Sequence, residues 1–153
     1  MDVKMISPFL SALFEVLPAL GLTDLKRGNI VMKDKLMATM EVTTLVGLSD
    51  DLRGNVIYCM SEDTAKNTAS IMMMGMPVEE FDEMAQSAIS EMANMVTANA
   101  STAFSSQGIN VSISPPTLIT GENVTVMVSQ VRTLAIEVLT GAGIIEINVG
   151  LEV

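Results

Sequence analysis

Apolar and polar positions divide the chain into helical and strand-like stretches. Phe9, Leu10, Leu13, Phe14, Val16 and Leu17 recur at helical spacing between Pro8 and Leu20. Ser7 stands where it can cap this helix ahead of Pro8, and Pro18 and Gly21 end it. Asp24 to Gly28 reads as a connection and Ile30-Val31-Met32 as a short strand. From Leu36 to Leu48 the period becomes two. Leu36, Ala38, Met40, Val42, Val46 and Leu48 share one side, and Thr39, Glu41, Thr43 and Gly47 the other, which predicts one long half-buried strand. A turn over Ser49 to Gly54 leads into Asn55 to Met60 as its hairpin partner. Ser61 then caps a helix running through Met74, with Glu62 and Asp63 favourable in its first turn, and Gly75 and Pro77 end it.

The longest helical stretch is Pro77 to Gln107, opened by Glu79, Glu80, Asp82 and Glu83 and closed by Gln107-Gly108. At about 100° per residue, Phe81, Met84, Ala88, Met92 and Met95 make the predicted apolar, core-facing side. Ser87, Glu91, Asn94 and Ala98 fall on a separate narrow stripe. Ile109, Val111 and Ile113 then alternate as a strand, Pro115-Pro116 forces an extended kink, and Thr117 to Thr120 lead to a turn at Gly121-Glu122-Asn123. Near the C-terminus Leu134, Ile136 and Val138 alternate with Thr133, Ala135 and Glu137. After a turn at Thr140 to Gly143, Ile145, Ile147, Val149, Leu151 and Val153 alternate with Glu146, Asn148, Gly150 and Glu152. This predicts a hairpin with one buried face. Three helices interleaved with mostly antiparallel strands predict an α+β fold with the helices packed on one face of the sheet. An exposed outer strand would leave an edge on which a second subunit can pair.

The 153 residues suffice for one domain, 1–153, with a substantial core. With no Trp, one Tyr and four Phe, aliphatic residues and 14 Met must build that core. The methionines read first as adaptable core filler rather than as a contact surface, although at least one of Met72-Met73-Met74 must face outward. Eight Lys plus Arg against 18 Asp plus Glu give a net charge of −10. That disfavours nucleic acid and anionic membrane as partners and suits one offering a positive group. Residues Met92 to Gly121 carry no charge, but their Ser, Gln, Asn and Pro content does not suit a membrane span. No signal peptide is expected, which leaves the cytoplasm as the expected location. Cys59 stands alone in an apolar run and reads as a buried, inert thiol.

Chemistry is limited by the absence of His, which removes imidazole bases, His-based triads and His metal ligands. No Gly-rich phosphate loop is present, and Ser87 and Ser90 lack a nearby base. The acidic run from Glu79 to Glu83 suits a helix N-terminus better than a cation site. The remaining candidate is the stripe of Glu91 and Asn94. Its spacing alone fits two ordinary polar residues on a solvated helix face better than it fits a site. A carboxamide cannot act as a strong base, but it can position a water, which suffices where the substrate bond is labile and the partner stabilises the charge.

Ser87-x-x-x-Glu91-x-x-Asn94 resembles the signature of the CheC/CheX/FliY chemotaxis phosphatases. Ala65 to Met76, Glu79 to Glu83, Glu91 to Val96, Ser114 to Gly121 and the closing hairpin resemble the same family, most of all its CheX branch. The resemblance implies a CheC/CheX-like fold and hydrolysis of the aspartyl phosphate of a CheY-type response regulator. It makes Glu91 the residue that pairs with a receiver lysine and Asn94 the one that orients the attacking water. Ser87 and Ala98 would join Glu91 in contacting the partner. Mg²⁺ would belong to the phosphorylated receiver, with no metal or cofactor held by this chain. A homodimer through the sheet is implied as well. The alternative is a non-catalytic receiver-binding or flagellar-switch adaptor of the same fold. Ala98 stands where such proteins often carry Gly, and its methyl narrows the approach of a partner backbone. The first helix repeats the pattern faintly as Ser11, Glu15 and Pro18, with Pro in place of Asn. One site rather than two is therefore expected.

Overall fold

The computed structural model describes residues 5–33, 36–38, 40–122, 124–127 and 133–152. Thr39, Asn123 and Val153, assigned to strands and a turn from the sequence, lie outside them. Helix α1 (Ser7–Ala19) has Ile6 at its cap position with no side-chain hydrogen bond, so Ser7 lies inside the helix rather than capping it. Strand β1 (Lys26–Lys33) starts within the expected connection, because β8 (Thr133–Thr140) supplies partners for Lys26 and Arg27 that no local pattern announces.

The predicted long strand is two strands, β2 (Leu36–Ala38) and β3 (Val42–Asp50). The alternation carries across the break, but β2 leaves the main sheet and pairs with β7 (Thr125–Met127), a strand the pattern missed. The hairpin of β3 with β4 (Arg53–Met60) forms as predicted. Gly54 enters β4 at φ +147°, and a Cβ there would lie 1.9 Å from the Gly150 carbonyl oxygen. Only glycine fits that approach of two backbones.

Ser61 caps α2 (Glu62–Met72) as predicted, accepting a 3.1 Å hydrogen bond from the Thr64 amide. Helix α3 (Glu83–Ser105) starts later than predicted. Asp82 is its cap, accepting from the Ala85 amide at 3.0 Å, so Glu79 and Glu80 precede the helix and only Glu83 lies in its first turn.

The main sheet runs β1-β8-β9-β4-β3, with β9 spanning Gly143–Glu152. Strands β5 (Val111–Ile113) and β6 (Thr117–Thr120) both pair with the outer edge of β3, and every pairing is antiparallel. Thus β5 and β6 are one edge strand interrupted at Ser114-Pro115-Pro116. Two prolines cannot donate to the ladder. Ser114 repairs the gap: its amide bonds the Gly47 carbonyl at 2.9 Å, and its hydroxyl accepts from the Gly47 amide at 2.8 Å.

All three helices contribute to one core on one face of the sheet. Val46, Val56, Tyr58, Ile136, Ile147 and Val149 pack beneath Leu13 and Leu17 of α1, Ala65 of α2, and Ile89 and Val96 of α3. Phe9 near the start of α1 meets Phe104 near the end of α3 edge to face, with centroids 5.6 Å apart. The other face is partly covered too, since Ile57 and Cys59 are buried against Leu45 and Val126. Asn148 is fully buried there, so the C-terminal hairpin is not exposed on its second face as the alternation predicted. Burial pushes the Cys59 thiol pKa up, partly offset by the Thr43 hydroxyl, which is the reverse of what a thiolate nucleophile needs.

Candidate functional site

Helix α3 turns inward a different face from the one its methionines predict. Its buried residues are Ala85, Ile89, Met92, Ala93, Val96, Thr97, Ala100 and Phe104. Of the five predicted core residues on this stretch, only Met92 is buried. Met84 is 63% and Met95 36% exposed, Ala88 is half-buried, and Phe81 precedes the helix. Hydropathy favours Met over Ala, but α3 packs closely on α1, α2 and the sheet, and small side chains at Ala85, Ala93 and Ala100 suit that approach. The inward face therefore lies about half a turn from Ser87, Glu91 and Asn94. The stripe points away from the core, not beside it.

That stripe forms one wall of an open groove of about 890 Å³. The wall carries Glu83, Gln86, Ser87, Ser90, Glu91 and Asn94. Ile113, Ser114, Pro115, Pro116 and Leu118, at the interruption of the edge strand, form the other. Three of the four predicted site residues thus meet in one place. Ala98 lies on the same stripe, half-buried, one turn beyond Asn94 and outside the groove lining. The proline wall, Gln86 and Ser90 were not predicted as parts of a site. The Pro-Pro pair was the available signal, since it breaks an edge strand that must then pass close to another element.

Glu91 is exposed and Asn94 half-buried. Among the described residues, no hydrogen bond or ion pair engages the side chains of Ser87, Ser90, Glu91 or Asn94. A carboxylate and a carboxamide thus stand one turn apart, unpaired among the described residues, on a 23-residue helix that holds their spacing. The helix is held from behind by a buried chain of hydroxyls. Tyr58 of β4 lies 2.6 Å from Thr97, whose hydroxyl donates to the Ala93 carbonyl at 2.8 Å, next to Asn94. The groove lining contains no Lys or Arg, and among the described residues no cluster of His, Cys, Asp or Glu could hold a metal ion. The groove offers carboxylates, serine hydroxyls and two amides, of which Gln86 donates to the Phe81 carbonyl and Asn94 is unengaged; such a set can bind a cationic group and orient a small polar molecule.

An antiparallel sheet under three helices is the architecture of CheC- and CheX-like proteins. The structure is similar to a CheC-like superfamily protein from Shewanella sp. PV-4, with TM-score 0.87 and 26% identity over 100% of both chains. It is also similar to a chain of the CheX-CheY-BeF3-Mg²⁺ complex from Borrelia burgdorferi, with TM-score 0.85 and 26% identity over 99% of this chain and 100% of the other. In sequence, 67 residues are 39% identical to the CheY-P phosphatase CheX of Thermotoga maritima. That match spans 44% of this chain and 43% of its relative's length. The family model described as Chemotaxis phosphatase CheX matches residues 42–139, more than half of the chain. The chain belongs to the CheX family.

Proposed function

We propose that this chain hydrolyses the aspartyl phosphate of a CheY-type response regulator. The observation that carries the reading is the unpaired Glu91 and Asn94 side chains on the outward face of α3, lining an open groove. Glu91 docks by pairing with a lysine of the receiver. Asn94 enters the receiver's active site, where its carboxamide holds a water in line with the phosphorus. The water oxygen bonds to phosphorus as the bond to the aspartyl oxygen breaks. The electron pair leaves with the restored carboxylate, and the water's protons pass to the released phosphate and to solvent. Mg²⁺ held by the receiver neutralises phosphate charge, so this chain supplies no metal ligand and no cofactor. Ser87 and Ala98 bound the contact. The reading takes residues 1–153 as one CheX-like domain, acting in the cytoplasm and pairing as a homodimer through a sheet edge. No helix among the described residues is long and apolar enough to cross a membrane.

Support for the reading is family membership together with the absence of His. Without an imidazole, positioning is what the groove has left to offer. The test is phosphate release from a phosphorylated CheY-type receiver. Asn94→Ala abolishes the acceleration while the variant still binds the receiver, and Glu91→Ala weakens binding. Full activity in both variants would refute the assignment. Binding without any phosphate release by the wild-type chain would make it a docking adaptor of the same fold.

A further inference from the structure

Methionine is expected to fill the core, yet several methionines reach the surface in one region. Met74 is 97% exposed, Met84 63% and Met76 58%. Met73 and Met84 line a depression together with Glu83, Ser87, Ala88 and Glu91. Met73, Met76 and Met84 also border an adjoining hollow with Pro77 and Val78. Met73, Met76 and Met84 form an apolar shelf continuous with the Glu91 stripe, on the flank of α3 that does not face Pro115 and Pro116. Apolar side chains scattered singly over a surface are ordinary, but a contiguous patch beside a polar site marks a contact.

We infer that this methionine shelf is a second contact of the docking face, receiving apolar surface that borders the phosphorylation pocket of the receiver. The shelf acts in the dephosphorylation proposed above and rests on that reading. Two observations select the occupant. The shelf is continuous with Ser87 and Glu91, so a partner seated on Glu91 covers it. Its rim is acidic, with Glu79, Glu80, Asp82 and Glu83. A second copy of a chain with net charge −10 would set that rim against another acidic surface, whereas a receiver offering lysine complements it. Methionine has three rotatable bonds and a polarisable sulfur, so the shelf re-packs against different apolar surfaces. The polar pair then addresses the chemistry that phosphorylated receivers share, and the shelf sets which receivers are held well.

The test compares M76Q/M84Q, M76L/M84L and Asn94→Ala with the wild-type chain. The substrates are CheY-type receivers of the source organism that the wild-type chain dephosphorylates; binding is measured with the same receivers loaded with beryllofluoride. Both methionines are largely exposed, so the substitutions leave the core untouched. The glutamine pair raises KM and Kd by about tenfold with kcat retained, and the leucine pair restores both. An unchanged KM in the glutamine pair, with Asn94→Ala inactive, refutes the shelf and leaves the phosphatase reading standing. Full activity in Asn94→Ala, or no receiver dephosphorylated, refutes that reading and the shelf with it. Self-association of the wild-type chain that the glutamine pair loses assigns the shelf to a second copy and overturns the inference.

Discussion

Removing the Thr97 hydroxyl by Thr97→Val leaves the Tyr58 hydroxyl with no acceptor in a fully buried position. Tyr58 is 0% and Thr97 1% exposed. The Thr97 hydroxyl already donates to the Ala93 carbonyl, so the phenol donates into Thr97 across 2.6 Å. Tyr58→Phe removes the donor but leaves Thr97 its bond to Ala93, a loss of about 1 kcal/mol. Thr97→Val orphans a buried donor and costs more, about 2 kcal/mol, or a fall in Tm of about 4–8 °C for a chain of this size. The double variant has no polar group left to satisfy and is more stable than Thr97→Val alone.

The same phenol gives a second readout. Burial pushes its pKa well above the ordinary 10.0, partly offset by the hydrogen bond to Thr97. The unfolded chain releases this proton near pH 10 while the folded chain keeps it. The stabilisation is therefore complete below pH 10 and falls as pH rises above it, by about 1.4 kcal/mol per pH unit from this group. Tyr58→Phe lacks that contribution, while Cys59, also raised by burial, contributes alkaline sensitivity to both proteins. The chain has one Tyr and no Trp, so phenolate absorbance reports Tyr58 alone and is followed beside circular dichroism. Phenolate appearing near pH 10 with the fold intact would refute the buried hydroxyl chain. A Thr97→Val variant no less stable than Tyr58→Phe would refute the donor assignment.

Gly54→Ala places a methyl against the Gly150 carbonyl at a positive φ and lowers stability by about 2–4 kcal/mol in urea unfolding, with a further drop in soluble yield. Thr44→Val removes a fully buried hydroxyl that has no hydrogen-bond partner among the described residues, and raises the unfolding midpoint by the equivalent of about 1 kcal/mol; a lower midpoint would show that the hydroxyl is satisfied. Asp82→Ala removes the cap of α3 and costs about 1 kcal/mol by the same measurement, while Asp82→Asn costs less than half as much. Steady-state KM for the phosphorylated receiver rises with ionic strength in the wild-type chain and less steeply in Glu91→Gln, because a screened ion pair is lost once rather than twice.

Local chemistry in the sequence determined much of this fold. The two-residue period of Val42 to Leu48 and of Ile145 to Leu151, the Ser61 cap, and the Gly75-Met76-Pro77 break each act within a few residues, so they were legible without knowing what packs on them. The Ser87, Glu91 and Asn94 stripe was legible for the same reason, as helical spacing places side chains on a face whatever the surroundings. Which face of α3 turns inward was decided only by tertiary structure. Alanines suit the close packing of α3 on its neighbours, and this outweighs the greater hydropathy of Met84 and Met95, which are left outside. The departure of β2 from β3, and the entry of β1 into the sheet at Lys26, depend on partners far along the chain. So does the second wall of the groove. Pro115 and Pro116 announced a kink, but only the pairing of β5 and β6 with β3 carries that kink across from Asn94. Sequence spacing could place a carboxylate and a carboxamide side by side; the groove they share exists only because a broken edge strand is held against the outward face of α3.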